Sequence, residues 1–209
     1  MKKIIFDLDN TLLYLSDDWI SHLQLFFNKS DINVEPLTLF GAIAKCEEVM
    51  ADVIITKKDL TKYLEKVLAI NVDDMVISDI FDCYNNIPLE YTEEIYKLLS
   101  YLSEKYELIV YTNWFKEDQI KRLNKYGLDH FFSNIYGWDI IPAKPSLKGL
   151  QTIVKDDDPT NFIFVGDNIK TDLEIPFEMG MNTIFLNSKG IEQSKYKEIK
   201  TIEELQKFL

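Results

Sequence analysis

The chain predicts an α/β fold: a parallel sheet covered by helices, with a separate α-helical unit inserted near the start. Three short apolar runs, at residues 4–6, 108–111 and 162–165, each lead into polar or acidic residues and then a helical pattern. Between the first and second runs, roughly residues 14–88, lies a stretch far longer than a strand crossover needs.

In chain order, Ile4-Ile5-Phe6 is short and apolar, and reads as a buried strand ending at Asp7-Leu8-Asp9-Asn10-Thr11. Residues 15–87 read as helical throughout. Ser16-Asp17-Asp18 gives an acidic start to a helix carrying Trp19, Ile20, Leu23, Phe26 and Phe27 on one stripe. Further helices are expected over about 36–50, 57–69 and 73–84, enough for a small bundle. Asn85-Asn86-Ile87-Pro88 breaks the pattern, so hinges are expected near 13–16 and 85–88. The division is therefore 1–14 with 88–209 for the sheet-bearing core, and 15–87 for the helical unit. After Pro88 the alternation resumes. Thr92-Glu93-Glu94 opens a helix, and residues 116–126 form another that stops at Gly127. A short strand at 131–136, a helix at 146–155, a turn at Asp158-Pro159, a strand at 182–186 and a helix near 202–208 complete the chain.

The strand ends carry the chemistry. Right-handed crossovers place the C-terminal ends of parallel strands on one sheet edge, where ligands bind. Asp7, Asp9, Thr112 and Asp167 should therefore converge, although they are far apart in sequence. Carboxylates gathered this closely repel unless a proton or cation lies between them, and a divalent metal ion fits that need.

Four segments in this order resemble the haloacid dehalogenase superfamily of aspartate-nucleophile phosphohydrolases. Phe6-Asp7-Leu8-Asp9-Asn10-Thr11-Leu12 matches its first motif, Thr112 after an apolar strand its second, and Lys144-Pro145 its third. Gly166-Asp167 with Asp172, followed by Gly180-Met181, matches the acidic fourth motif. The resemblance implies a Rossmann-like core and identifies the inserted helices with the family's cap, which closes over the catalytic face and excludes water. It assigns Asp7 as nucleophile and Asp9 as the acid that protonates the leaving oxygen and then the base that activates water. Asp7, Asp167 and the Asp9 backbone carbonyl would hold Mg²⁺. Thr112 and the Asn113 backbone N–H would bind the phosphoryl group, Lys144 would offset its charge, and Asp172 would orient Lys144 or a metal-bound water. Dehalogenating members lack the second aspartate, because a halide leaving group needs no proton. Asp9 thus favours phosphate esters. After Asp172 the family's small-residue turn is replaced by Glu174-Ile175-Pro176-Phe177, which bears on how this motif packs.

Composition sets limits. A length of 209 residues with 46% hydrophobic content supports one good core and a smaller unit. A net charge of −12 argues against a nucleic-acid or anionic-membrane partner, but not against a small phosphorylated metabolite, since Mg²⁺ and Lys144 can invert the local sign. No apolar run approaches the ~20 residues of a membrane span, and no leader precedes the first strand, so a cytoplasmic location is expected. The two cysteines, Cys46 and Cys83, read as buried thiols, and the two histidines, His22 and His130, give no zinc-ligand spacing. Trp19, His22 and Phe26 read as packing residues, Lys57-Lys58 as a solvated helix start, and Tyr14, Trp114 and Trp138 as pocket-lining candidates beside the catalytic edge. A phosphomutase, a non-catalytic phospho-ligand binder and a phospho-receiver module are the alternatives. The last is disfavoured by the inserted helices. The sequence does not define the oligomeric state.

Overall fold

A computed structural model describes residues 2–29, 34–69, 74–90, 93–190 and 195–209. Its centre is a six-stranded, all-parallel sheet in the order β5-β4-β1-β6-β7-β8. The strands are β1 (Lys3–Phe6), β4 (Glu107–Tyr111), β5 (Asn134–Tyr136), β6 (Phe162–Gly166), β7 (Asn182–Leu186) and β8 (Lys197–Ile199). The first strand sits in the middle, with later strands added to both sides. Its C-terminal end is therefore the point where the winding reverses and a crevice opens.

The strands alternate faces as their pleat requires. Ile4, Phe6, Leu108, Val110, Ile163 and Val165 share one apolar cluster with Leu98, Leu99 and Leu102 of α5 (Glu93–Ser103) and Leu205 of α9 (Leu205–Phe208). Ile5, Ile109, Phe162 and Phe164 face the other way, toward Leu150 and Ile153 of α7 (Leu147–Val154) and toward Leu173, just before α8 (Glu174–Glu178). Both faces are covered, which is why these strands are apolar runs rather than alternating patterns.

Among the described residues four helices lie between β1 and α5: α1 (Trp19–Lys29), α2 (Pro36–Val49), α3 (Lys57–Leu68) and α4 (Asp74–Asn85). The expected starts at Asp73 and Thr92 lie outside the described residues. α3 begins at a capping box between Thr56 and Asp59. At the expected hinges the chain forms a small antiparallel ribbon, with β2 (Tyr14–Leu15) paired to β3 (Leu89–Glu90). The helices share one apolar cluster with Trp114, Phe115, Trp138 and Ala143 of the sheet unit. The Trp138 indole N–H donates to the Val53 carbonyl at 2.9 Å, and the Ile55 N–H donates to the Trp138 carbonyl at 3.2 Å.

Several expectations need correction. α6 (Lys116–Asn124) ends short of 126, and β5 is confined to 134–136 because a 3₁₀ turn occupies Asp129–Phe131. The C-terminal segment splits into a 3₁₀ turn (Ile202–Glu204) and α9, and β8 is an added edge strand that periodicity did not reveal. His22 is exposed and Ile20 is 38% exposed, so the buried stripe of α1 is Leu23 and Phe27, flanked by Trp19 and Phe26. Lys57 is not simply solvated. Its ammonium lies 2.6 Å from Asp118 of α6 and 4.7 Å from the centroid of the Phe81 ring. Among the described residues no helix is long and apolar enough to cross a membrane.

Trp138 is fully buried and joins the two units by its ring and its N–H. Trp138→Phe should lower the unfolding free energy in urea by about 1–3 kcal/mol, because it removes volume and leaves the Val53 carbonyl without its donor.

Candidate active site

The crevice at the end of β1 gathers the sequence-predicted residues. Asp7 follows β1 directly and is fixed by its own N–H, which donates to the Val165 carbonyl at 2.9 Å. One carboxylate oxygen accepts from the Lys144 ammonium at 2.5 Å, the other from the Thr11 hydroxyl at 2.8 Å. The Lys144 ammonium also donates to Asp172 at 2.8 Å. Asp172 accepts from the Asn168 N–H at 3.0 Å and the Thr171 hydroxyl at 3.0 Å, which fixes its orientation toward Lys144. Gly166 makes this packing possible, since a Cβ there would collide with the Asp172 side chain. The departure after Asp172 is accommodated by a π-helical turn over Ile169–Leu173 that runs into α8.

Asp7, Asp167 and Asp172 each present a carboxylate oxygen within 4.8 Å of the others. Burial pushes the Asp7 carboxyl up to about 8, with Asp172 and Asp167 adding to the rise and Lys144 opposing it. Burial likewise lifts Asp167 to about 6, helped by Asp172. Burial works against the Lys144 charge, but Asp172 and Asp7 outweigh it and hold the ammonium protonated. Three carboxylates thus face one ammonium. An all-oxygen, acid-rich donor set of this kind suits a hard divalent cation such as Mg²⁺.

Thr112 follows β4, and its N–H donates to the Tyr136 carbonyl at 3.0 Å. Asn113 contributes more than a backbone group. Its side chain exchanges two hydrogen bonds with the Lys144 backbone, at 2.7 and 2.8 Å, and donates to Glu47 of α2 at 3.1 Å. The Asp9 carboxylate turns toward α6, where Gln119 donates to it at 3.1 Å and an Arg122 nitrogen lies 2.7 Å away. That last contact is an ion pair out of line for a hydrogen bond. Gln119 also donates to the Thr112 hydroxyl at 2.9 Å.

Of the pocket-lining candidates, Tyr14 lines a cavity of about 470 Å³ together with Asn10, Asp167 and Lys189. Trp114 and Trp138 line neither this cavity nor the one beside α2. Both are buried, and Trp114 stacks on Tyr84 with ring centroids 4.2 Å apart. A second cavity of about 530 Å³ opens between α2 and the loops that carry Lys144 and Lys170, with Glu47 and Lys45 also in its wall. Sequence reasoning missed Thr11, Glu47, Gln119 and Arg122. Thr11 lies inside the first motif and was within reach. The other three are polar residues on helices with no local sign that their side chains point inward.

The family model for haloacid dehalogenase-like hydrolases matches residues 4–186. No curated protein matches the chain. Among solved structures, the HAD-hydrolase YfnB of Bacillus subtilis, bound to magnesium, superposes with a TM-score of 0.79 at 20% identity, covering 100% of this chain and 98% of that one. A HAD phosphatase of Thermococcus onnurineus gives 0.67 at 21% identity, covering 100% and 97%. A 2-haloacid dehalogenase of Pseudomonas syringae gives 0.72 at 19% identity, covering 99% and 97%. At these identities the likeness establishes the fold. It does not separate phosphatase from dehalogenase.

Burial pushes the Glu47 carboxyl from 4.5 up to about 7, against the Asn113 hydrogen bond and the Lys144 charge. The unfolded chain releases this proton first, so Glu47 lowers stability progressively as pH rises from about 4.5 to about 7. Glu47→Gln keeps an acceptor for Asn113 and removes that loss. Thermal unfolding should show the variant stabilised by about 1–2 kcal/mol at pH 8, with the difference vanishing near pH 4.

Proposed function

The chain belongs to the haloacid dehalogenase-like hydrolases, and from that membership and the crevice at the end of β1 we propose that it hydrolyses a small phosphate monoester through an aspartyl-phosphate on Asp7. The observation that carries the reading is Asp9. A second carboxylate, held by Gln119 within two hydrogen-bond lengths of the Thr112 hydroxyl, is what an alkoxide leaving group needs and a halide does not.

In the first step an Asp7 oxygen attacks phosphorus, the ester P–O bond breaks, and the leaving oxygen takes a proton from Asp9. In the second, water attacks the same phosphorus, the bond to Asp7 breaks, and Asp9 recovers a proton from the water. Thr112 and the Asn113 N–H hold the phosphoryl oxygens, while Lys144, itself held by Asp172, sets a positive charge beside them. Asp7, Asp167 and the Asp9 backbone carbonyl would hold Mg²⁺, which when bound offsets the charge shared by the carboxylates and the phosphoryl group. Residues 15–87 act as the cap over this site and select the rest of the substrate. Sugar phosphates, phosphoglycolate-like acids and nucleoside monophosphates are the candidate classes, encountered in the cytoplasm.

Phosphate release from 4-nitrophenyl phosphate and a panel of phosphorylated metabolites tests the reading. Release should require Mg²⁺, stop on chelation, and fall by about 10⁴-fold or more in Asp7→Asn. Asp9→Asn should trap a phospho-enzyme that hydrolyses slowly. Equal, mild losses in both variants would overturn the two-step scheme, and a phospho-enzyme that returns its phosphate to an organic acceptor would indicate a mutase.

A further inference from the structure

α6 turns three polar side chains into the protein: Asp118 at 1% exposure, which pairs with Lys57, and Gln119 at 0% and Arg122 at 2%, which lie beside Asp9. A guanidinium buried this deeply is costly unless its neighbours compensate it. One terminal nitrogen lies 2.7 Å from Asp9 Oδ1, the other donates to Gln119 Oε1 at 2.8 Å, and Nε has no hydrogen-bond partner among the described residues. The Gln119 amide nitrogen spends its two hydrogens on Asp9 Oδ2 and Thr112 Oγ1, at 3.1 and 2.9 Å. Residues serving only to pack α6 would not place three of these four contacts on Asp9 or on the Thr112 hydroxyl, with the fourth joining the two residues to each other.

We propose that Gln119 and Arg122 are positioning residues that aim the Asp9 carboxylate and the Thr112 hydroxyl at the phosphoryl group, an inference that rests on the hydrolase reading above. Arg122 donates to Gln119 Oε1, so the amide cannot flip and its nitrogen must face the site. Because Thr112 Oγ1 accepts from that nitrogen, its own hydrogen is left to donate to a phosphoryl oxygen. The Asp9 carboxylate is engaged at both oxygens, yet each retains a free lone pair, and the side chain is 27% exposed. It therefore stays open to proton exchange while it is held in place. Misplacement by about 1 Å in such an arrangement costs about 10²-fold in rate.

The test uses the intact chain with Mg²⁺ and a series of aryl phosphates, from 4-nitrophenyl to phenyl to 4-methoxyphenyl, in which the leaving group depends progressively more on a proton. Arg122→Met and Gln119→Leu should lose about 10²-fold or more on phenyl phosphate and less than about 10-fold on 4-nitrophenyl phosphate. Arg122→Lys should recover part of the difference. Equal losses across the series would mean a structural role and overturn the proposal. A second readout does not depend on turnover. Thermal midpoints of Asp9→Asn, Arg122→Met and the double variant should be non-additive, the second substitution costing little once the first is made. Additive shifts would overturn the clamp. If Arg122→Met does not fold, Arg122→Lys takes its place in both comparisons. A wild type that cleaves no member of the series overturns the hydrolase reading instead, and the clamp is then decided by the coupling alone.

Discussion

The ion triplet of Asp7, Lys144 and Asp172 is the constraint on which the rest of the structure depends. Its members come from the end of β1, from the loop before α7 and from the turn after β6, and they meet at 2.5 and 2.8 Å. All three are at most 7% exposed. Removing Lys144 would leave two buried carboxylates facing each other without a counter-charge, a change that typically costs about 3–5 kcal/mol. The triplet therefore holds the three loops in register and also fixes the direction of the Asp7 carboxylate. Asn113 adds a fourth loop by its paired hydrogen bonds to the Lys144 backbone.

Much of this was legible in the sequence, and the reason is local. Strand ends in a parallel sheet must share an edge, so a polar residue after each apolar run can be placed without knowing any contact. Asp7, Asp9, Thr112 and Asp167 follow from that rule, and Lys144 and Asp172 from the resemblance. The helical character of the inserted stretch was legible too, since residues 15–87 carry a helical pattern where a crossover was due, and α1 to α4 occupy it. Short elements were not. The ribbon of β2 and β3, two residues in each strand, and the three residues of β8 carry too little periodicity to register.

Two of the missed site residues share one cause. Gln119 and Arg122 lie in Lys-Glu-Asp-Gln-Ile-Lys-Arg-Leu-Asn, a segment in which charged groups outnumber apolar ones and an outward, solvated face is the natural reading. Only the tertiary neighbours of α6 reveal that three of its polar groups, Asp118 among them, are buried. Trp114 and Trp138 erred in the opposite direction. Their loops border the catalytic edge, but the inserted helices claim both rings, and Tyr84, Phe81 and Phe115 enclose Trp114. An aromatic side chain on a loop is free to line a cleft only when no second apolar surface competes for it.

The pairing of β2 with β3 means that the chain leaves the sheet unit and returns to it at adjacent positions. Ends that lie side by side are the condition under which one folded segment can be exchanged for another without reconnecting the host. The helical unit is thus a cassette, free to diversify in length and composition while the strand order and the ion triplet stay as they are.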